Sequence, residues 1–165
     1  MHKFFIGCIL GGIFGVITGA VLENRNNASI KNNSELVVEQ DSVTVKLEQP
    51  EFFLSDTPTV ELVLEACKYY QIKYPDIVTA QSILETGYYK SKGCLERHNL
   101  FGLYNSYKKD YYTFNHWTES VKAYYDFVQY RYKEGDYYDW LERIGYAEDP
   151  LYLTKVKQVK AKNKL

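Results

Sequence analysis

The pattern of apolar and polar positions divides the chain into three stretches. From Phe4 to Leu22 it reads FFIGCILGGIFGVITGAVL, 19 residues without a charge. At about 1.5 Å rise per residue, a helix of this length nearly spans a hydrocarbon core of roughly 30 Å. Lys3 precedes the run and Glu23 and Arg25 follow it, so the positive-inside bias sets the N-terminus in the cytoplasm. Residues 1–22 are therefore expected to be a single-pass anchor in the inner or cytoplasmic membrane, with the remainder on the periplasmic or extracellular side. A cleaved secretory signal, using Thr18-Gly19-Ala20, is the alternative; a lipoprotein signal at Cys8 fits less well, because most of the apolar run follows that cysteine. Each of these readings exports the rest of the chain.

Residues 23–34 (ENRNNASIKNNS) are polar and asparagine-rich without periodicity, and 35–49 alternate only weakly through LVV and VTVKL. The whole of 23–56 reads as a flexible linker with room for one short strand. Helical periodicity begins afterwards. Thr57 and Pro58 suit a helix start, and Val60, Val63, Leu64 and Cys67 form its apolar face as far as Tyr70. Pro75 opens a second helix carrying Ile77, Val78, Ile83 and Leu84 to Thr86-Gly87. Between Phe101 and Phe114, glycine, asparagine and the β-rich YYTF predict a small hairpin lobe. Thr118 is expected to cap a third helix through Val121, Tyr124, Val128 and Tyr132. Asp136 starts a fourth, with Trp140, Leu141 and Ile144, stopped by Gly145. Asp149-Pro150 begins the last, with Leu153, Val156 and Val159 facing inward.

Composition narrows the picture further. Of 165 residues, 45% are hydrophobic and 25% charged, as in a folding globular protein. The net charge of -1 gives no electrostatic reason to expect nucleic acid as a partner. All 17 tyrosines fall between Tyr69 and Tyr152, which marks 57–165 as one domain rich in side chains that both pack and stack on sugars. The lysines of the last helix read as a solvated face. In an exported domain Cys67 and Cys94 are free to pair, although sequence does not show that they approach closely enough. His98 and His116 lack the spacing of a zinc motif, so no metal is expected. No phosphate loop, dinucleotide fingerprint or nucleophile elbow is present, and no cofactor is expected.

The chemistry concentrates in AQSILETGYYKSKGCLERHNLFGL, Ala80 to Leu103. Glu85 lies at the C-terminal end of an apolar helix, where burial and the negative end of the helix dipole both raise a carboxyl pKa. A carboxylic acid still protonated near neutral pH is what glycoside cleavage requires at the leaving oxygen. Taken alone, a glutamate at a helix C-terminus is more often an exposed surface group. The surrounding motifs alter that balance. Ala80-Gln81, Glu85-Thr86-Gly87, Ser91, Asn99-Leu100-Phe101-Gly102-Leu103 and Tyr146-Ala147-Glu148-Asp149-Pro150 occur in an order that resembles the bacterial peptidoglycan N-acetylglucosaminidases of glycoside hydrolase family seventy-three, the flagellar-rod hydrolase and autolysin type. The match spans about 58–160.

The resemblance implies a mainly α, lysozyme-like domain with a small β-hairpin lobe. It implies an endo-β-N-acetylglucosaminidase that hydrolyses β-1,4 bonds after N-acetylglucosamine in cell-wall peptidoglycan, with Glu85 as general acid and Tyr146 in the cleft. Glu119 in the first turn of the third helix, where the dipole would keep it ionised, is the candidate for the second catalytic group; Asp110 in the hairpin is the other, and substrate assistance by the N-acetyl group would need neither. Tyr88, Asn99, Phe101 and Tyr104 are the expected substrate-binding positions, with Asn99 and Gly102 also shaping the turn and Phe101 also suited to packing. A lytic transglycosylase and a non-catalytic glycan-binding module on the same fold are the competing expectations.

Overall fold

The computed structural model describes residues 49–165; the expected anchor over 1–22, and the linker and short strand up to residue 48, lie outside the described residues. Packing reaches back beyond Thr57. A 3-10 turn at Glu51–Phe53 buries Phe52, and the Ser55 carbonyl accepts hydrogen bonds from the Trp117 indole at 2.7 Å and from His116 at 2.9 Å.

Six α-helices and one two-stranded hairpin follow among the described residues: α1 (Val60–Tyr69), α2 (Pro75–Thr86), α3 (Lys92–Arg97), β1 (Tyr104–Asn105), β2 (Asp110–Tyr111), α4 (Trp117–Phe127), α5 (Tyr137–Arg143) and α6 (Tyr152–Lys162). No helix among the described residues is long and apolar enough to cross a membrane. The mainly helical architecture with its hairpin agrees with the lysozyme-like arrangement that the motifs imply.

The helix starts follow from capping. Thr59, rather than Thr57, caps α1 by accepting from the Leu62 N–H. Pro75 occupies the first turn of α2, where its missing N–H costs nothing. Asp136 accepts from the Tyr138 and Asp139 N–H groups at α5, as its residue type predicts. At α4 the cap is His116 and not Thr118, which lies one residue inside the helix. The helix also stops earlier than its apolar spacing suggests: after Phe127 a 3-10 turn at Gln129–Arg131 carries the chain to Tyr132.

α2 is the central element. Ile77, Val78, Ala80 and Ile83 are buried, and so are Thr79, Gln81, Ser82 and Thr86, so the helix has little solvent face left along its middle. A helix enclosed all round needs partners on every side, and α1 and α6 supply the main ones. Val63, Ala66 and Cys67 from α1 and Tyr152 and Val156 from α6 join the core. Trp117, Val121 and Tyr124 from α4 and Tyr137, Trp140 and Leu141 from α5 complete it. Fully burying one large apolar side chain of this kind contributes about 1.5–3 kcal/mol.

The hairpin pairs Tyr104 with Tyr111 and Asn105 with Asp110 in antiparallel register. Asn105 Oδ1 accepts from the Tyr107 and Lys108 N–H groups and folds the tip. Arg97 at the end of α3 bonds the Asp110 carboxylate and the Tyr111 carbonyl, both at 3.0 Å, and ties the lobe to the helical body.

Candidate active site

Glu85 is the penultimate residue of the central helix, followed by Thr86. The backbone then turns sharply, with Gly87, Tyr88 and Tyr89 all left-handed at φ of 56°, 61° and 62°. Glycine takes this conformation without penalty, whereas the two tyrosines are strained and must be held there. Thr86 does much of the holding. Its hydroxyl donates to the Ser82 carbonyl at 2.6 Å and accepts from the Tyr89 N–H at 2.8 Å, while its carbonyl accepts from Lys90 and Ser91. Tyr89 also meets the Ser82 hydroxyl at 3.2 Å. A hydroxyl residue followed by glycine, directly after the glutamate, is thus a local device that ends the helix at the carboxylate.

The second wall is the Asn99–Leu103 loop. Asn99 is buried, and its side chain accepts from the Leu103 N–H and donates to the Leu103 and Tyr112 carbonyls, all at 2.9–3.0 Å. Leu100 N–H donates to the Ser120 hydroxyl on α4. The clamp presents Gly102, at φ 59°, to the acid: a β-carbon at that position would lie 3.8 Å from Glu85 Oε2. Phe101 points the other way, 1% exposed, with its ring 4.7 Å from that of Tyr124.

The third wall comes from α6 and the turn before it. Tyr152, buried on α6, donates a hydrogen bond from its hydroxyl to the Glu85 carboxylate. Tyr146, in the α5–α6 turn, is 3% exposed; its hydroxyl is fully enclosed and has no hydrogen-bond partner, although Tyr152 and Glu85 are its near electrostatic neighbours. A cavity of about 200 Å³ adjoins both tyrosines, lined also by Leu141, Pro150 and Leu153. Glu85 retains partial exposure to solvent overall, but its carboxyl is enclosed enough that burial pushes its pKa up to about 7, against the opposing pull of the Tyr152 hydrogen bond. The resulting acid is half protonated near neutrality.

The remaining candidate positions fall at various distances from that chemistry in role. Glu119 is exposed, and its carboxylate accepts from the Asn115 N–H at 3.1 Å, closing the first turn of α4; Tyr70 is its electrostatic neighbour. Asp110 is exposed and paired with Arg97, and the Tyr111 N–H followed by that guanidinium holds its carboxyl below the usual range. Tyr88 is 39% exposed beside the acid's turn, with its hydroxyl accepting from Asn163 and the Lys162 ammonium 5.2 Å from its ring centre. Tyr104 is half-buried with its ring edge-on to Tyr111 at 5.2 Å. His98 Nδ1 bonds the Phe114 carbonyl and His116 caps α4, so both serve the backbone. Cys67 and Cys94 are buried free thiols rather than a disulfide.

Tyr152, which meets the Glu85 carboxylate, is a residue that the sequence motifs did not single out. It follows the Tyr146–Pro150 element by two positions and meets Glu85 only through folding, so no local spacing announces it.

A protein-family model, described as glucosaminidase, mannosyl-glycoprotein endo-β-N-acetylglucosaminidase, matches residues 60–165. No curated protein and no solved structure matches the chain significantly. The chain belongs to the glucosaminidase family, a family of glycoside hydrolases.

Proposed function

We propose that this glucosaminidase-family enzyme hydrolyses the β-1,4 bond after N-acetylglucosamine in cell-wall peptidoglycan, with Glu85 donating the proton to the leaving oxygen. The observation that carries the reading is the state of that carboxyl: enclosed at the end of the central helix, with its pKa pushed up to about 7. Such a group holds a proton to give near neutral pH and accepts the resulting charge against one hydrogen-bond donor.

Tyr146 is assigned to the cleft. Its enclosed hydroxyl, without a partner among the protein groups, has a proton to offer the N-acetyl oxygen or an attacking water. Glu119 is the proposed second carboxylate, exposed in the first turn of α4. Tyr88 and Tyr104 are proposed to stack on the glycan, and Asn99 and Phe101 to act through the shape of the loop that carries Gly102. The apolar run over 1–22 is proposed to anchor the chain in the cytoplasmic membrane with 57–165 outside, where peptidoglycan lies.

Mass spectrometry of sacculi digested by the full chain tests the reaction. New reducing N-acetylglucosamine ends are expected; anhydro-muropeptides would instead identify a lytic transglycosylase, and intact sacculi a module that only binds. Glu119→Gln in the same assay is expected to lower the rate by about a hundredfold or more if it serves as base. A variant with full activity would assign Glu119 to the α4 cap alone and leave substrate assistance to supply the second group.

A further inference from the structure

The core contains a continuous line of buried polar groups that ends on the acid. Lys73, in the α1–α2 turn, donates its backbone N–H to Gln129 Oε1 at 3.1 Å. Gln129 Nε2 donates to the Tyr137 hydroxyl at 3.1 Å. The Tyr137 and Tyr124 hydroxyls are 3.0 Å apart, and Tyr124 donates to Gln81 Oε1 at 2.9 Å. Gln81 Nε2 donates to the Tyr152 hydroxyl at 3.3 Å, and Tyr152 meets the Glu85 carboxylate. Gln81, Tyr124, Tyr137, Gln129 and Tyr152 are all at most 4% exposed.

The direction of this line is forced from its far end. A backbone N–H can only donate, so the carbonyl oxygen of Gln129 must face Lys73 and its NH₂ must face Tyr137. The Tyr137 oxygen then accepts, and its single proton goes to Tyr124. Tyr124 in turn passes its own proton to Gln81 Oε1, which leaves the Gln81 NH₂ aimed at the Tyr152 oxygen. Tyr152 therefore has its proton free for Glu85. Reversing the line from Tyr124 onward would leave the Tyr137 proton without an acceptor in a dry core, at the cost of an unmet buried group.

We infer that Gln129, Tyr137, Tyr124, Gln81 and Tyr152 form a directed hydrogen-bond relay, anchored on the Lys73 N–H, that fixes Tyr152 as a permanent donor to the Glu85 carboxylate. Tyr152 and Gln81 are thereby positioning residues for the acid, and Tyr124 acts on it without touching it. The relay opposes the effect of burial: it stabilises the carboxylate left after proton transfer and keeps the acid strong enough to give up its proton. The titratable groups facing Glu85 are Tyr152 from α6 and Tyr146 from the α5–α6 turn, both kept neutral by burial. The Tyr146 hydroxyl faces Tyr152 as a donor and leaves the Tyr152 proton to Glu85. The inference rests on Glu85 as the acid for its functional meaning, but not for its test.

That test is the titration of Glu85 itself, followed by NMR of carbon-labelled glutamate side chains in the full chain, with Glu85→Gln identifying the signal. Tyr152→Phe removes the donor and is expected to raise the Glu85 midpoint by about one pH unit, the value of one hydrogen bond to a charged group. Tyr124→Phe is expected to raise it too. Without the Tyr124 donor, the Gln81 amide is free to turn its oxygen toward Tyr152, which then donates to Gln81 instead of Glu85. Should Tyr124→Phe fail to fold, Tyr137→Phe tests the line one link further back: Tyr124 loses the bond it accepts and polarises Gln81 and Tyr152 less, so a smaller rise of the Glu85 midpoint is expected. An unchanged midpoint in the remote variant, whether or not Tyr152→Phe moves it, would overturn the relay. Failure of the reading of Glu85 as the acid would appear separately, as activity surviving in Glu85→Gln.

Discussion

At the scale of single residues, Glu85 sets chemistry against stability. Its carboxyl binds a proton more tightly in the folded chain than in the unfolded one, because burial raises its pKa from 4.5 to about 7. Below about pH 4.5 both states hold the proton and nothing is lost. Between there and neutrality the unfolded chain ionises first, so stability falls as pH rises through that window. Glu85→Gln removes the ionisation while keeping the shape. It is therefore expected to raise stability at pH 8 by on the order of 1–3 kcal/mol, and to make no difference at pH 4. Denaturant melts of the two proteins at both pH values check this; a variant less stable than the parent at pH 8 would contradict it.

The same residue shows what sequence can and cannot reveal. A glutamate followed by threonine and glycine at the end of an apolar helix was legible, because helix, stop and carboxylate are written in consecutive positions. That the carboxyl is enclosed depends on Gly102 and Tyr152, which arrive from 17 and 67 residues further along the chain. Phe101 illustrates the converse. Its neighbours Asn99 and Gly102 shape the site, but an aromatic ring in a short loop can face either way, and the Asn99 clamp turns this one into the core.

At the scale of elements, the site depends on how loops are tied between helices. The Asn99 side chain supplies three hydrogen bonds, and of the groups it meets the Leu103 carbonyl also accepts from the Tyr112 N–H at 2.9 Å. Asn99→Ala would leave the Leu103 N–H unmet in a buried place and take one donor from the Leu103 and Tyr112 carbonyls, at a cost of about 2 kcal/mol in stability. It would also release Gly102 from Glu85. Thermal melting is expected to show the first effect, and a loss of activity exceeding the loss of folded protein the second; a stable variant with full activity would contradict the clamp's role. Element boundaries marked by proline, aspartate and glycine were legible at α2, α5 and Gly145. The short α3 was not, since Lys92–Arg97 contains a glycine and too few turns to display a period, and it forms because Ser91 caps it and Cys94 is buried. The α4 start at His116 escaped notice because Thr118 is the commoner cap residue.

At the scale of the whole molecule, one core holds the site together, and its thiols report on that core. Burial pushes the Cys67 thiol up to about 12 and the Cys94 thiol up to about 11. Thiolate is the reactive form, so neither cysteine should react with an alkylating reagent until the fold opens. Peptide mapping of labelled Cys67 and Cys94 over time is expected to give rates matching global unfolding. Labelling much faster than unfolding would reveal a local opening that the packing does not allow. The helical class and hairpin lobe of this domain were legible from periodicity and turn residues. The docking of Phe52 and Ser55 was not, because a buried phenylalanine near the end of a stretch that reads as polar linker has no pattern of its own.

The central claim is that Glu85 is the acid of a glycan hydrolase, and the most direct measurement is the rate of reducing-end release from peptidoglycan by the full chain and by Glu85→Gln across pH. The parent enzyme is expected to lose activity as pH rises through about 7, where the acid gives up its proton, and Glu85→Gln to be slower by about a hundredfold or more throughout. Equal rates for the two proteins would show that the proton comes from elsewhere.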